Sequence, residues 1–137
     1  MGSTVASIME MHVVVLKMED TVETAEQVLS SGRLSCVPIV DEKGEGFGIV
    51  SAADMVRFHS QKKNPKAVRV WEMCTYDAVK VAPDLPLKDA ARLMLGKKVH
   101  HLIVGNSDLK KIEGIVSSLD IIAALLRETG EQDVRWR

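Results

Sequence analysis

Gly48-Ile49-Val50-Ser51-Ala52-Ala53-Asp54 recurs further along the chain as Gly114-Ile115-Val116-Ser117-Ser118-Leu119-Asp120. Each copy keeps the glycine, two aliphatic residues, the serine and the aspartate in one spacing. Upstream the match continues with the displacement one residue shorter. Val22, Ala25, Val28 and Leu29 fall on Leu87, Ala90, Leu93 and Met94, an apolar stripe at helical spacing that occurs twice. Val14 and Leu16 fall on Val79 and Val81, and Val37-Pro38-Ile39-Val40 falls on Leu102-Ile103-Val104-Gly105, all reading as strands. The one-residue change lies between Asp41 and Gly48 in one copy and between Asn106 and Gly114 in the other, where a polar hairpin turn tolerates it.

Each copy therefore reads as strand, helix, strand, turn, strand, helix. The helices are expected near 21–31 and 52–61, then near 86–97 and 118–128. Asp20, with Glu23 three residues on, reads as a capping box. In the second copy Leu85 takes the cap position and Pro86 the first helical residue. Gln61-Lys62-Lys63-Asn64-Pro65-Lys66 is polar, basic and broken by proline, which marks a linker. Trp71, among Val68, Val70 and Met73, is expected in the core.

Composition narrows the function classes. The 137 residues are 46% hydrophobic but only 4% aromatic, so the core is aliphatic. A formal net charge of -1, with both signs interspersed, argues against a broad nucleic-acid footprint. Cys36 and Cys74 have neither a CxxC nor a zinc spacing and read as buried, reduced thiols. No apolar run approaches the roughly 18 residues of a membrane span, and the first residues lack a signal-peptide pattern; a soluble, cytoplasmic protein is expected, with no membrane partner. Gly44-Glu45-Gly46-Phe47-Gly48 leads into a strand, so it reads as a hairpin turn and not as a dinucleotide loop. With no nucleophile elbow, metal triad or P-loop, no catalytic residue and no enzyme activity are expected.

The β-α-β-β-α unit carrying Gly-x-x-Ser-x-x-Asp into its last helix resembles the CBS domain. Two in tandem, from about Val5 to Leu126, resemble a CBS pair, or Bateman module. That resemblance implies an α/β fold in which two β-α-β-β-α repeats pack about a pseudo-twofold axis as one compact module. Its expected boundaries are 5–60 for the first CBS domain, 61–67 for the linker, 68–128 for the second and 129–137 for a tail. Val99-His100-His101-Leu102-Ile103-Val104, with the second glycine motif, is similar to the last CBS motif of the gamma subunit of AMP-activated protein kinase. That family senses AMP, ADP and ATP; other CBS pairs bind S-adenosyl ligands, such as S-adenosylmethionine, or no ligand.

Ser51-x-x-Asp54 and Ser117-x-x-Asp120 each lie where a strand turns into a helix. The helix's first amides favour an anion there, the serine can donate to a phosphate, and the aspartate can accept from both ribose hydroxyls. The same residues also suit a self-contained helix cap. The resemblance implies ligand contact in two clefts. One combines Ile49, Ser51, Ala53 and Asp54 with Val79, His100 and His101. The other combines Ile115, Ser117, Leu119 and Asp120 with His12, Val14, Ser35 and Cys36. Strand backbone near Val14 or Val79 would read the adenine edge. Lys80, Lys97, Lys98 and Arg33 are further phosphate candidates, although basic residues at a helix end are commonly solvated.

The histidine pair has no third ligand near it in sequence, so no metal is expected. It makes the Asp54 cleft the expected first site, with tighter binding below about pH 6.5. The expectation is a regulatory module for energy sensing that binds AMP, ADP or ATP, AMP foremost, as a ligand and not a catalytic cofactor. It would act as a homodimer on a regulated partner protein, the Arg135-Trp136-Arg137 tail making a dimer contact. The alternatives are a dimerisation scaffold without ligand and an S-adenosylmethionine sensor.

Overall fold

The computed structural model describes residues 2–11, 13–76, 78–105 and 111–128. The element order is β1 (Leu16–Lys17), α1 (Val22–Gly32), β2 (Cys36–Val40), β3 (Gly46–Ser51) and α2 (Ala52–Ser60), then β4 (Lys80–Val81), α3 (Leu87–Lys97), β5 (His101–Gly105), β6 (Ile112–Ser117) and α4 (Ser118–Glu128). Three-residue 3-10 turns, Val5–Ser7 and Val70–Glu72, precede each set. The sheets run β1-β2-β3 and β4-β5-β6. β1 pairs parallel with β2 (Leu16 with Ile39), and β2 pairs antiparallel with β3 through a bulge near Ile39 and Val40. β4 pairs parallel with β5, Lys80 opposite Ile103. All five residues of β2 are buried, as expected for a central strand covered on both faces.

The helices form where the apolar stripe dictates. Val22, Ala25 and Leu29 on α1, and Leu87, Ala90 and Met94 on α3, are the residues each helix buries. Asp41 closes the first hairpin: its Oδ1 accepts from the amides of Lys43 (2.9 Å) and Glu45 (3.0 Å), and Gly44 takes the positive φ of 81°. The glycine-rich stretch is therefore a turn running into β3, as expected. The corresponding turn of the second copy lies outside the described residues, as does the tail from 129.

The chain forms two compact units, and neither is one repeat alone. The first groups β1 to α2 with the 3-10 turn at Val70. Its core joins Leu16, Val22, Leu29, Ile39, Val50 and Phe58 to Val70, which is fully buried. The second groups β4 to α4 with the N-terminal residues, and Val5 is fully buried in its core beside Leu87, Leu102 and Val116. The repeat therefore begins at each 3-10 turn, yet each turn completes the unit built from the other copy's sheet.

These docked segments also satisfy helix amides that have no partner inside the helix. Val22 N donates to Val68 O (2.9 Å), Glu23 N to Pro65 O (3.0 Å), and Leu87 N to Ser3 O (3.0 Å). This changes the expected caps. Thr21, not Asp20, caps α1, accepting from Thr24 N at 3.1 Å, while the Asp20 carboxylate accepts from Lys17 N at 2.8 Å. Pro86 is itself the cap of α3, held extended (ψ 146°) because residue 86 bridges to Thr4. β1 starts at Leu16, leaving Val14 outside the strand and 49% exposed. Trp71 is not core: it is 39% exposed, because a single 3-10 turn aims one side chain inward and Val70 is that residue.

The motif glycines answer to the same docking. A Cβ on Gly48 would lie 2.6 Å from Thr75 O, and one on Gly114 would lie 2.6 Å from Met9 Sδ and 3.0 Å from Glu10 O. Ile49 and Thr75 exchange both backbone hydrogen bonds (2.9 Å each), and Ile115 and Glu10 do likewise (3.1 and 2.9 Å). Val70→Ala is expected to destabilise the first unit by about 2 kcal/mol through lost burial and a residual cavity. A chemical-denaturation midpoint that does not move would show that the 3-10 turn contributes nothing to that core.

Candidate functional site

The two Ser-x-x-Asp motifs stand at the β3–α2 and β6–α4 junctions, and both make reciprocal caps. Asp54 Oδ2 accepts from Ser51 N at 2.8 Å while Ser51 Oγ accepts from Asp54 N at 3.2 Å. Asp120 Oδ2 accepts from Ser117 N at 2.9 Å while Ser117 Oγ accepts from Asp120 N at 3.2 Å. The capping role weighed from the sequence is real in both copies. Each cap consumes one carboxylate oxygen and leaves the chemistry of the other to its surroundings.

Those surroundings differ. Asp54 is buried, 5% exposed, and its Oδ1 faces Arg57 Nη1 and Nη2 (3.3 Å each) and Thr75 Oγ1 (3.4 Å). A buried carboxylate requires such compensation. A cavity of about 270 Å³ opens beside it, between α2 and the 68–73 segment, with Asp54, Arg57, Gln61, Lys63 and Glu72 in its wall. Asp120 is half-buried, and among the described residues its hydrogen bonds run to Ser117 alone. Ala123 occupies the place on α4 that Arg57 holds on α2, and Glu10 the place of Thr75.

Arg57 and Thr75 were not among the residues singled out from sequence. Arg57 was readable as a helical pair three residues beyond Asp54. Thr75 was not, because it arrives on the docked segment.

The other candidates fall as follows. In the first unit Cys36 lies opposite Ser51 in the β2–β3 ladder. Ile49 is half-buried, Ser35 and Ala53 are exposed, and Ser35 O accepts from Ala52 N at 2.9 Å. Burial, reinforced by Asp54, pushes the Cys36 thiol up to about 12, so it is inert. Both cysteines are buried and free, as expected. In the second unit His100 is exposed and its carbonyl accepts from Ser118 N at 2.9 Å, the counterpart of Ser35.

His101 is half-buried. Desolvation lowers its pKa, His100 adds to the lowering, and Asp120 opposes it. Val79 O accepts from Ile103 N at 2.9 Å, Lys80 and Ile115 are half-buried, and Leu119 is 74% exposed. Arg33 and Lys98 hold the left-handed positions that end α1 and α3 (φ 51° and 56°), and Lys97 is the last residue of α3. His12 lies outside the described residues. Among the described residues no group of three His, Cys, Asp or Glu side chains could hold a metal ion, and no helix is long and apolar enough to cross a membrane.

Comparison with known proteins places this geometry. The chain is similar to CBSX2, a CBS-pair protein of Arabidopsis thaliana. The structure of CBSX2 in complex with AMP shares 26% identity at a TM-score of 0.80, over 93% of this chain and 99% of that one. A CBS domain pair in complex with 5'-methylthioadenosine and S-adenosyl-L-methionine superposes at a TM-score of 0.83 with 23% identity, over 97% of this chain and all of that one, which shows the shared fold. An uncharacterized protein of Methanopyrus kandleri is 33% identical over 76% of this chain, which spans about half (53%) of that protein's length. Inosine-5'-monophosphate dehydrogenase of Halobacterium salinarum is 29% identical over 81% of this chain, but only 21% of the enzyme is matched. CBS-domain models match residues 5–60 and 70–127, and the protein therefore belongs to the CBS domain family, as a tandem pair.

Proposed function

We propose that this CBS pair is a regulatory module that binds an adenine nucleotide, AMP foremost, and passes its occupancy to a partner protein. The observation that carries this reading is the division of labour in the motif aspartates. One oxygen of each is spent on the cap, and the second is an acceptor suited to a ribose diol. The AMP complex of CBSX2, a relative of the same fold, supports that ligand class.

In this reading Ser51 with Asp54, and Ser117 with Asp120, are the ribose and phosphate contacts. Ile49, Ala53, Ile115 and Leu119 flank the base, together with backbone near Val14 and Val79. His100, His101 and Lys80 supply positive charge for phosphate, and His12, Ser35 and Cys36 line the remainder. Apolar walls with a few fixed polar groups are the usual anatomy of a small-molecule site. The ligand can report its presence only by preferring one arrangement of the protein over another. Val56 (74% exposed), Leu119 (74%) and Ile122 (49%) give α2 and α4 apolar side chains that a second copy in a homodimer would cover.

Titration with AMP tests the proposal. The Asp54→Asn/Asp120→Asn double variant is expected to bind at least about tenfold more weakly, since a hydrogen bond to a charged group is worth about 1.5–3 kcal/mol. Equal affinity for the variant and the wild type contradicts ribose recognition by these carboxylates. Thermal melting separates the other readings. A ligand at about 100 times its dissociation constant adds about 2.7 kcal/mol. A shift with S-adenosylmethionine alone indicates a different sensor, and no shift with any adenine compound indicates a scaffold.

His101 adds a pH signature. With its pKa lowered in the unliganded fold, its contribution to stability is full above about pH 6.5 and is lost as pH falls through the lowered value. A bound phosphate favours the imidazolium, so binding takes up a proton and strengthens as the solution is acidified. The ratio of AMP to adenosine affinity is expected to rise at least about twofold from pH 8 to pH 6, and His101→Gln is expected to remove the rise. A ratio that is flat with pH in the wild type places His101 away from the phosphate.

A further inference from the structure

The two motif aspartates are identical in their caps and unlike in everything else. Asp54 Oδ1 already holds an Arg57 guanidinium and the Thr75 hydroxyl, whereas Asp120, among the described residues, holds nothing beyond its cap. We infer that Arg57 and Thr75 act as a latch on Asp54, so that the nucleotide fills the Asp120 site first and the Asp54 site second. The inference rests on reading both aspartates as ribose-binding groups.

The physical argument is one of exchange. At Asp120, which is half-buried, incoming ribose hydroxyls need displace no donor that the described residues place on its second oxygen. At Asp54 the carboxylate is 95% buried, since 5% of it is exposed, and the hydroxyls must replace protein donors. Those donors then need new partners, so the net gain per bond falls. The Arg57 side chain is 61% exposed, which keeps the latch weak enough to open. Its release also frees a guanidinium beside a cavity that Lys63 lines as well.

Ala123 stands on α4 where Arg57 stands on α2, so among the described residues no guanidinium three positions along the helix meets Asp120. Asp120 is also the aspartate whose charge acts on His101, so the ribose acceptor and a titratable cation share one unit. The order of filling is thus the reverse of that expected from the histidine pair by sequence position. Occupancy becomes graded, with a site that responds at low nucleotide and a latched one that responds at high nucleotide.

Isothermal titration calorimetry with AMP on the full chain tests this, with thermal melting to confirm that each variant is folded. The wild type is expected to show a tighter and a weaker event. Asp120→Asn is expected to abolish the tighter event. Arg57→Ala is expected to strengthen the weaker one about two- to fivefold, the worth of a partly exposed ion pair. Should Arg57→Ala fail to fold, Arg57→Gln with Thr75→Val opens the same latch and carries the same expectation. A tighter event that survives in Asp120→Asn overturns the order of filling. A weaker event that is unchanged or weakened in the latch variants overturns the latch. No AMP heat in the wild type overturns the nucleotide reading itself, and the inference with it.

Discussion

One oxygen of each motif aspartate is bound to the amide of the serine three residues before it, and the rest of the site depends on that bond. It fixes the carboxylate at the start of the helix, sets its rotamer and leaves a single oxygen with which to recognise anything else. The capping role of Ser-x-x-Asp and its proposed ligand role are therefore compatible. In the proposed reading the cap preorganises the acceptor, and preorganisation lowers the ordering cost of binding. Two motifs alike in sequence are then made unequal by what meets the second oxygen.

At Asp54 that oxygen is met by Arg57 of the same helix and by a group from a docked segment. Residues 3–10 and 68–75 each supply a core valine, a helix-capping carbonyl and a backbone pair on the last strand of the unit they complete. The segment carrying Thr75 also brings a hydroxyl to Asp54, while the matching segment brings Glu10 alongside Ile115. A side chain at Gly48 would collide with the Thr75 carbonyl of its docked segment, and one at Gly114 would press on the Met9 side chain and the Glu10 carbonyl of the other. The docked segments thus account for the first residue of the motif and, together with Arg57 on α2, for the asymmetry at its last.

Local chemistry was legible in the sequence, and long-range partnership was not. The stripe Val22, Ala25, Leu29 and its copy Leu87, Ala90, Met94 identified helices and core, and the glycines near Gly44 identified a turn. The caps of α1 and α3 were misplaced because carbonyls of Val68 and Ser3 satisfy their amides, and no local rule points to residues so distant. Trp71 was read as core from its apolar neighbours, but a 3-10 turn spends its one inward position on Val70. At the candidate site, the repeat brought out both serines and both aspartates, but only the family resemblance pointed from a helix cap to a ligand contact. Arg57 was overlooked although its helical spacing from Asp54 was plain, and Thr75 was beyond reach because its partner lies across the docking contact.

Native mass spectrometry of freshly purified protein, before and after addition of AMP, tests the central claim most directly. The account predicts that each chain carries the mass of one adenine nucleotide at low AMP and of two at high AMP. Spectra that show only the bare polypeptide mass at saturating AMP would contradict it.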